Sequence, residues 1–276
     1  MVSILIQKYK GGMLLKWKYF ICMMILLFSV LILKCPLGKI KNYNDFSLNG
    51  NLDSFDNLNE KNSLNTLDAY SALQVSFVKL RDSYIDTPAG FNETQFDSIF
   101  QWNSTIKRVR SGIYSVLKRD IGTLNNLNII VTNLSGSVDK NLKSIVSDLF
   151  VGLWDIASSI DSVLARRGYI LSDANLIMIK SSSNTEIIND IRVSLEHMLE
   201  LREELVKLLQ NIINSAAIFG IDAIDRIEDI LRPITTLALG FTGLACSTNR
   251  ICVINNELKS LSSQIEDNVS KLKKEK

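Results

Sequence analysis

Three prolines and thirteen glycines in 276 residues leave little to build turns from. All-β folds spend both residue types on turns and long helices exclude them, so the scarcity argues for helix. Histidine is scarcer still, because His197 stands alone. One histidine cannot supply the two Glu-x-x-His pairs of a di-iron bundle. The chain also lacks HExxH, CxxC, a phosphate-binding P-loop and a G-x-S-x-G nucleophile elbow. A lone His on a helix reads as structural or surface-exposed. No catalytic residue, metal ligand or cofactor is expected, and the chain reads as non-enzymatic.

Excess charge is lacking too. The formal net charge is +2, and residues 1–34 hold five lysines and no acid, so the rest carries 26 basic against 29 acidic residues. A body that is slightly acidic has no electrostatic footprint for nucleic acid.

What is present begins with an apolar run. Residues 19–33, YFICMMILLFSVLIL, contain no charge and follow Lys16 and Lys18. A bilayer-spanning helix needs roughly 20 such residues. The run therefore fits a signal-peptide apolar region behind a basic start, with Met13 a natural first residue. Cys35 follows Lys34 directly. A cysteine at the membrane-surface end of such a run is placed for lipid attachment. Retention of the run as an uncleaved single-pass anchor is the alternative, and ordinary secretion a third.

Residues 1–34 are thus read as signal or anchor, and 35–65 as a flexible tether rich in Asn, Asp, Ser and Gly. That composition buries too little apolar surface to offset its ordering entropy. About 30 such residues span roughly 30 Å root-mean-square.

Residues 66–276 form the third region, an all-α multi-helix bundle with long helices. Thr66 is placed to cap a helix whose apolar positions Leu67, Tyr70, Leu73, Phe77, Leu80 and Tyr84 step by three or four. TPAG at 87–90 ends it. A second helix is expected over 92–119, with a weaker continuation to Leu134, where NLSGS stops it. A third over 138–167 carries Leu142, Ile145, Leu149, Trp154, Ile156, Ile160 and Leu164, and closes on Arg166-Arg167-Gly168. Ser183-Asn184-Thr185-Glu186 has capping-box form. After it Ile187, Ile191, Leu195, Met198, Leu205, Leu208 or Leu209, and Ile212 mark a rod of about 45 Å. Glu200, Arg202, Glu204 and Lys207 are assigned to its wetter side. Residues 218–232 read as an amphipathic piece stopped by Pro233. The apolar 234–245 stretch reads as buried core, and 250–272 as the last helix.

Cys246 and Cys252 enclose STNRI. On a continuous helix they would sit about 9 Å apart along the axis, too far to bond. The turn-prone residues between them favour a loop and a disulfide, two free thiols being the alternative. Lys107, Arg108, Arg110, Lys118 and Arg119 are candidate contacts for an acidic partner, against the plainer reading of solvated helix faces.

The leader MLLKWKYFICMMILLFSVLILKC, the Asn/Ser/Lys-rich tether and the Ile/Leu/Asn/Lys/Ser-heavy body together resemble the helical surface lipoproteins of the Borrelia type. Lys34 stands where such signals usually carry a small residue. The resemblance implies an outer-membrane lipid anchor, display on the cell surface, and binding of a host extracellular protein. It transfers no binding residue. A helical pore-forming or membrane-active protein is the alternative that the long helices and the 234–245 stretch suggest.

Overall fold

The computed structural model describes residues 57–100, 110–135, 140–164, 169–220, 223–240 and 244–274. The signal region, Cys35, most of the tether, Lys107, Arg108 and Arg166-Arg167-Gly168 lie outside them. The described residues fall in one unit, Phe55–Lys276.

Four long helices make the frame: α1 (Asn57–Ile85), α5 (Lys140–Leu164), α7 (Thr185–Ala216) and α10 (Arg250–Lys274). Their directions follow from the side chains that meet. Ser76 bonds Glu196 and Arg202 lies over the Tyr84 ring, so α1 and α7 run the same way. Arg250 pairs with Glu204, and His197 with Glu257, so α10 runs against α7. Asp155 meets Asn255 and Lys259, and Ser162 meets Ser262, so α5 runs with α10. The result is a four-helix arrangement in which an apolar stripe of each helix turns inward. Leu73, Leu80, Leu149, Ile156, Ile160, Leu195, Met198, Leu209, Ile254, Leu258 and Ile265 are fully buried there.

Shorter elements cover the frame. α2 (Glu93–Phe100), α3 (Arg110–Val116) and α4 (Ile121–Ser135) follow α1 in the chain. Phe91, Phe96 and Tyr114 join α2 to α3 through ring contacts 5.5–6.3 Å apart, and Phe100 meets Phe150 of α5 edge-on at 5.8 Å. α6 (Asp173–Lys180) starts on Ser172, whose hydroxyl accepts from the Asn175 amide. α8 (Ile224–Thr235) runs into a 3₁₀ turn (Thr236–Leu239), and α9 (Leu244–Ser247) is a single turn before α10. No strand occurs among the described residues.

Gly152 lets α8 close on α5. A Cβ there would lie 2.3 Å from the Ile234 carbonyl oxygen, which no side chain tolerates. Behind this contact Ile234 and Leu237, from the apolar stretch expected in the core, are buried.

Several sequence expectations are corrected. The first helix begins at Asn57, so the tether boundary at 65 falls inside it. Leu67 and Trp154, assigned to core stripes, are exposed. The span expected as one helix over 92–119 is described as α2 and α3, with residues 101–109 outside the description. Asn184, not Ser183, caps α7; its side-chain oxygen accepts from the Ile187 amide at 3.1 Å. Pro233 does not end its helix. It sits inside α8, near the C-terminal end, where losing one N–H is tolerated because the chain then tightens into the 3₁₀ turn.

Candidate functional site

Cys246 and Cys252 are joined by a disulfide with Cα atoms 5.4 Å apart. The local geometry comes from Asn249. Its side-chain oxygen accepts from the Ile251 and Cys252 amides at 3.1 and 3.3 Å, starting α10. Its amide nitrogen donates to the Pro233 carbonyl at 2.8 Å and to Thr236 Oγ1 at 3.3 Å. One side chain thus begins α10 and holds it against the end of α8, and the disulfide closes the same corner. Asn256 Nδ2 lies 3.1 Å from Cys246 Sγ.

A cleft of about 380 Å³ opens above this corner. Leu208 and Ile212 of α7 form its apolar floor, with Pro233, Thr236 and Arg232 on one side and Thr248 to Ile251 on the other. Both arginines at its rim are matched within the fold. Arg232 pairs with Asp229 one turn earlier, and Arg250 is bidentate to Glu204 at 2.7 Å for both bonds. The Arg250 guanidinium holds the Glu204 carboxyl below its ordinary range. The rim therefore presents a balanced mosaic of charge over an apolar floor.

The basic residues singled out from the sequence are placed differently from expectation. Arg110 reaches Glu93 and Asp97 at 3.1 and 3.2 Å, and Lys118 pairs with Glu203. Arg119 is buried, and its Nη1 donates to the carbonyls of Tyr84 and Asp86 at 3.0 and 3.1 Å. It closes the C-terminal end of α1, where a cation meets unpaired carbonyls and the negative end of the helix dipole. Lys118 and Arg119 both adopt left-handed backbone, φ 55° and 51°, to make these contacts. Of the described members of this set, Arg119 is buried, whereas Arg110 and Lys118 stand at the surface in ion pairs with the protein's own carboxylates. His197 is a helix-surface residue with Nε2 3.3 Å from Glu257.

The chemistry-bearing group that sequence reasoning missed lies where α1, α3, α5 and α7 meet. Arg202 is 1% exposed. Its Nη1 donates to Glu203 at 2.8 Å and its Nη2 to the Ser115 carbonyl at 3.2 Å, with Cζ 5.7 Å from the Tyr84 ring centre. Its Nε has no hydrogen-bond partner. Burial lowers the Arg202 pKa, and the neighbouring Glu203 works against that shift. Burial raises the Tyr84 hydroxyl well above its usual value, and the Asp161 carboxylate adds to the shift. Asp161 is itself raised by burial and partly relieved by its bond from Tyr84. Gly112 permits this convergence, since a Cβ there would lie 3.0 Å from both Asp161 Oδ2 and Ala157 Cβ. The Tyr84 hydroxyl also reaches the Ala157 carbonyl at 3.4 Å. The group is enclosed by helices and ties them together; it does not open onto the cleft lined by α7, α8 and α10.

A signal for Arg202 was present. The α7 stripe steps Ile191, Leu195, Met198, Leu205, Leu209, and the one long step is filled by position 202. A cation on a core position of a heptad-like stripe is a buried cation. No group of His, Cys, Asp and Glu among the described residues is arranged to hold a metal ion. No family model, curated protein or solved structure matches the chain.

Proposed function

We propose that this chain is a membrane-anchored surface lipoprotein that binds a partner, a host extracellular protein, through its helical domain. The observation that carries the reading is the leader: a basic start, fifteen uncharged apolar residues and Cys35 at their end. A cysteine there sits at the membrane surface when the run occupies the bilayer. What supports the binding role is the body behind it. Its helices are pinned by buried polar contacts into a fixed scaffold, and its cleft combines an apolar floor with an arginine-bearing rim, the anatomy of a protein-recognition surface. The domain would act at the cell surface, with no nucleic acid and no cofactor involved.

The experiment is metabolic labelling with a palmitate analogue. Cys35→Ala should lose the label and leave the membrane fraction. Equal labelling and retention of the variant would end the lipid-anchor reading. A pull-down from serum and matrix proteins, repeated with Ile212→Arg in the cleft floor, tests the binding role, and unchanged capture by the variant would place recognition elsewhere.

A membrane-active protein is the second reading, favoured by the uncharged 234–245 stretch. It requires Ile234 and Leu237 to leave their packing against α5. No helix among the described residues is long and apolar enough to cross a membrane. Dye release from liposomes by the purified protein measures it, and intact liposomes at micromolar protein would sink it.

A further inference from the structure

The loop closed by the Cys246–Cys252 bridge is itself one side of the cleft. Cys246 belongs to the single turn α9 and Cys252 to the first turn of α10. Thr248, Asn249, Arg250 and Ile251, which line the cleft, all fall between them. Two separate ties hold this loop. Asn249 fastens the start of α10 to Pro233 and Thr236 through its side chain, without involving sulfur. The bridge fastens α9 to α10.

The surroundings of the two sulfurs favour the reduced pair. A disulfide is reduced more readily when the thiolates that it releases are stabilised. Cys252 is the third residue of α10, where the positive end of the helix dipole favours a thiolate. Asn256, one turn further on, places Nδ2 3.1 Å from Cys246 Sγ and 4.0 Å from Cys252 Sγ. An amide bonds an ionised acceptor more strongly than a neutral one. The loop is also short, so chain entropy holds the bridge closed less than it would hold a long loop. Burial works the other way. Cys246 and Cys252 are 4% and 3% exposed, which disfavours a charged sulfur and slows attack. Asn256 supplies the donor that offsets this cost at Cys246.

We propose that the Cys246–Cys252 bridge is a thiol-operated switch on the cleft. Oxidised, it fixes the side of the cleft that carries Thr248. Reduced, it releases α9 and that side while the four-helix frame stays folded. The regulatory role rests on the reading of the cleft as the recognition surface. The reductant is a dithiol. Its thiolate attacks the sulfur of Cys252, the S–S bond breaks, and Cys246 leaves as the thiolate beside Asn256. The second thiol of the reductant then displaces Cys252 from the mixed disulfide. Two electrons pass to the protein, the reductant ends as its own disulfide, and each cysteine ends with a proton that the reductant gives up. The frame keeps its registers because they are set elsewhere, by Arg202 on Ser115 and by Asp155 on Asn255 and Lys259. Asn249 keeps α10 on α8 throughout, so the release is confined to the corner.

The test uses the full-length chain in detergent, equilibrated without denaturant in mixtures of reduced and oxidised dithiothreitol at mildly alkaline pH. Alkylation with peptide mass mapping gives the bridged fraction, and hydrogen exchange is read on the same samples. The folded chain should be reduced with its helical circular dichroism unchanged. Exchange should rise in the peptide spanning 244–251 and not in peptides from α1 or α5, and reoxidation should reverse it. Asn256→Ala should shift the equilibrium about fivefold toward the bridge, the equivalent of one hydrogen bond. The double variant Cys246→Ser, Cys252→Ser should show the raised exchange with or without reductant. A bridge that stays closed until the chain unfolds, exchange that is unchanged at 244–251 or spreads into the frame, or an equilibrium indifferent to Asn256→Ala would each overturn the switch. None of these readouts involves a partner. Loss of the switch therefore leaves the recognition role of the cleft standing, and a failed pull-down leaves the switch.

Discussion

Arg202 is the residue on which the buried junction turns. Its guanidinium joins α7 to the end of α3 and lies over the Tyr84 ring, with one nitrogen unmatched. Breaking such a contact and replacing it by a shape-matched apolar group have opposite consequences. Arg202→Ala leaves a void and removes one of the two donors to the Ser115 carbonyl, the Lys118 amide remaining at 3.0 Å, and denaturant unfolding should show a loss of about 3 kcal/mol. Arg202→Met fills much of the volume without a charge to desolvate, and should cost about 1 kcal/mol or less. Equal losses for both would mean that the charge itself holds the junction. Asp161 gives the pH dependence. Its pKa is raised in the folded state by burial, so the folded chain holds this proton more tightly than the unfolded chain. Its contribution to stability is therefore largest in acid, and declines as pH rises from the ordinary carboxylate value through the raised one. Asp161→Asn removes that decline. Melting temperatures measured across mildly acidic to neutral pH should fall less steeply for the variant, and parallel curves would contradict the assignment. At this scale the sequence was partly legible. Periodicity identified Tyr70, Leu73, Phe77, Ile156 and Met198 as core, and missed Arg202 because charge outweighed position. The burial of Asp161 had no local signal, since it depends on Gly112 of a helix distant in sequence.

Among the elements, α10 is fixed at both the start and the middle. Asn249 and the Cys246–Cys252 bridge hold its first turn against α8, and a polar seam of Asp155, Ser159, Ser162, Asn255 and Ser262 sets its register on α5. Buried polar pairs of this kind allow fewer alternative registers than an apolar seam. The bridge closes a loop of about seven residues, for which chain entropy gives roughly 2 kcal/mol. Cys252→Ser should lower stability by that order and loosen the cleft wall at Thr248 to Ile251. Alkylation of unreduced, denatured protein should label neither Cys246 nor Cys252, and mass mapping that finds both alkylated would remove the bridge from the account. Element types were readable from spacing throughout, while element ends were less so. The start of α1 lacked an early apolar period and was missed. Ser183 and Asn184 both suit a cap, and only the backbone chose between them. Pro233 reads as a stop by its chemistry, yet α8 takes it in because the helix is about to narrow into a 3₁₀ turn.

The whole molecule is an all-α scaffold, as the shortage of proline and glycine implied. The ionisable residues at the centre of its single core, Arg202, Tyr84 and Asp161, face one another across four helices. Of the candidate basic residues, Arg119 spends its charge inside the fold, while Arg110 and Lys118 meet carboxylates at its surface. Sequence shows that residues are basic, but which acids they meet is a property of packing. The bundle also offers a cleft over the disulfide corner, which does not follow from local pattern. The central claim, a body carried at the membrane by its N-terminus, rests on Cys35 and the run before it. Intact-mass measurement of the protein extracted from membranes tests it most directly. The account predicts a mature chain beginning at Cys35 and heavier than residues 35–276 by its acyl groups. An unmodified mass that still includes residues 19–33 would contradict the lipid anchor and leave the apolar run as a membrane-spanning segment.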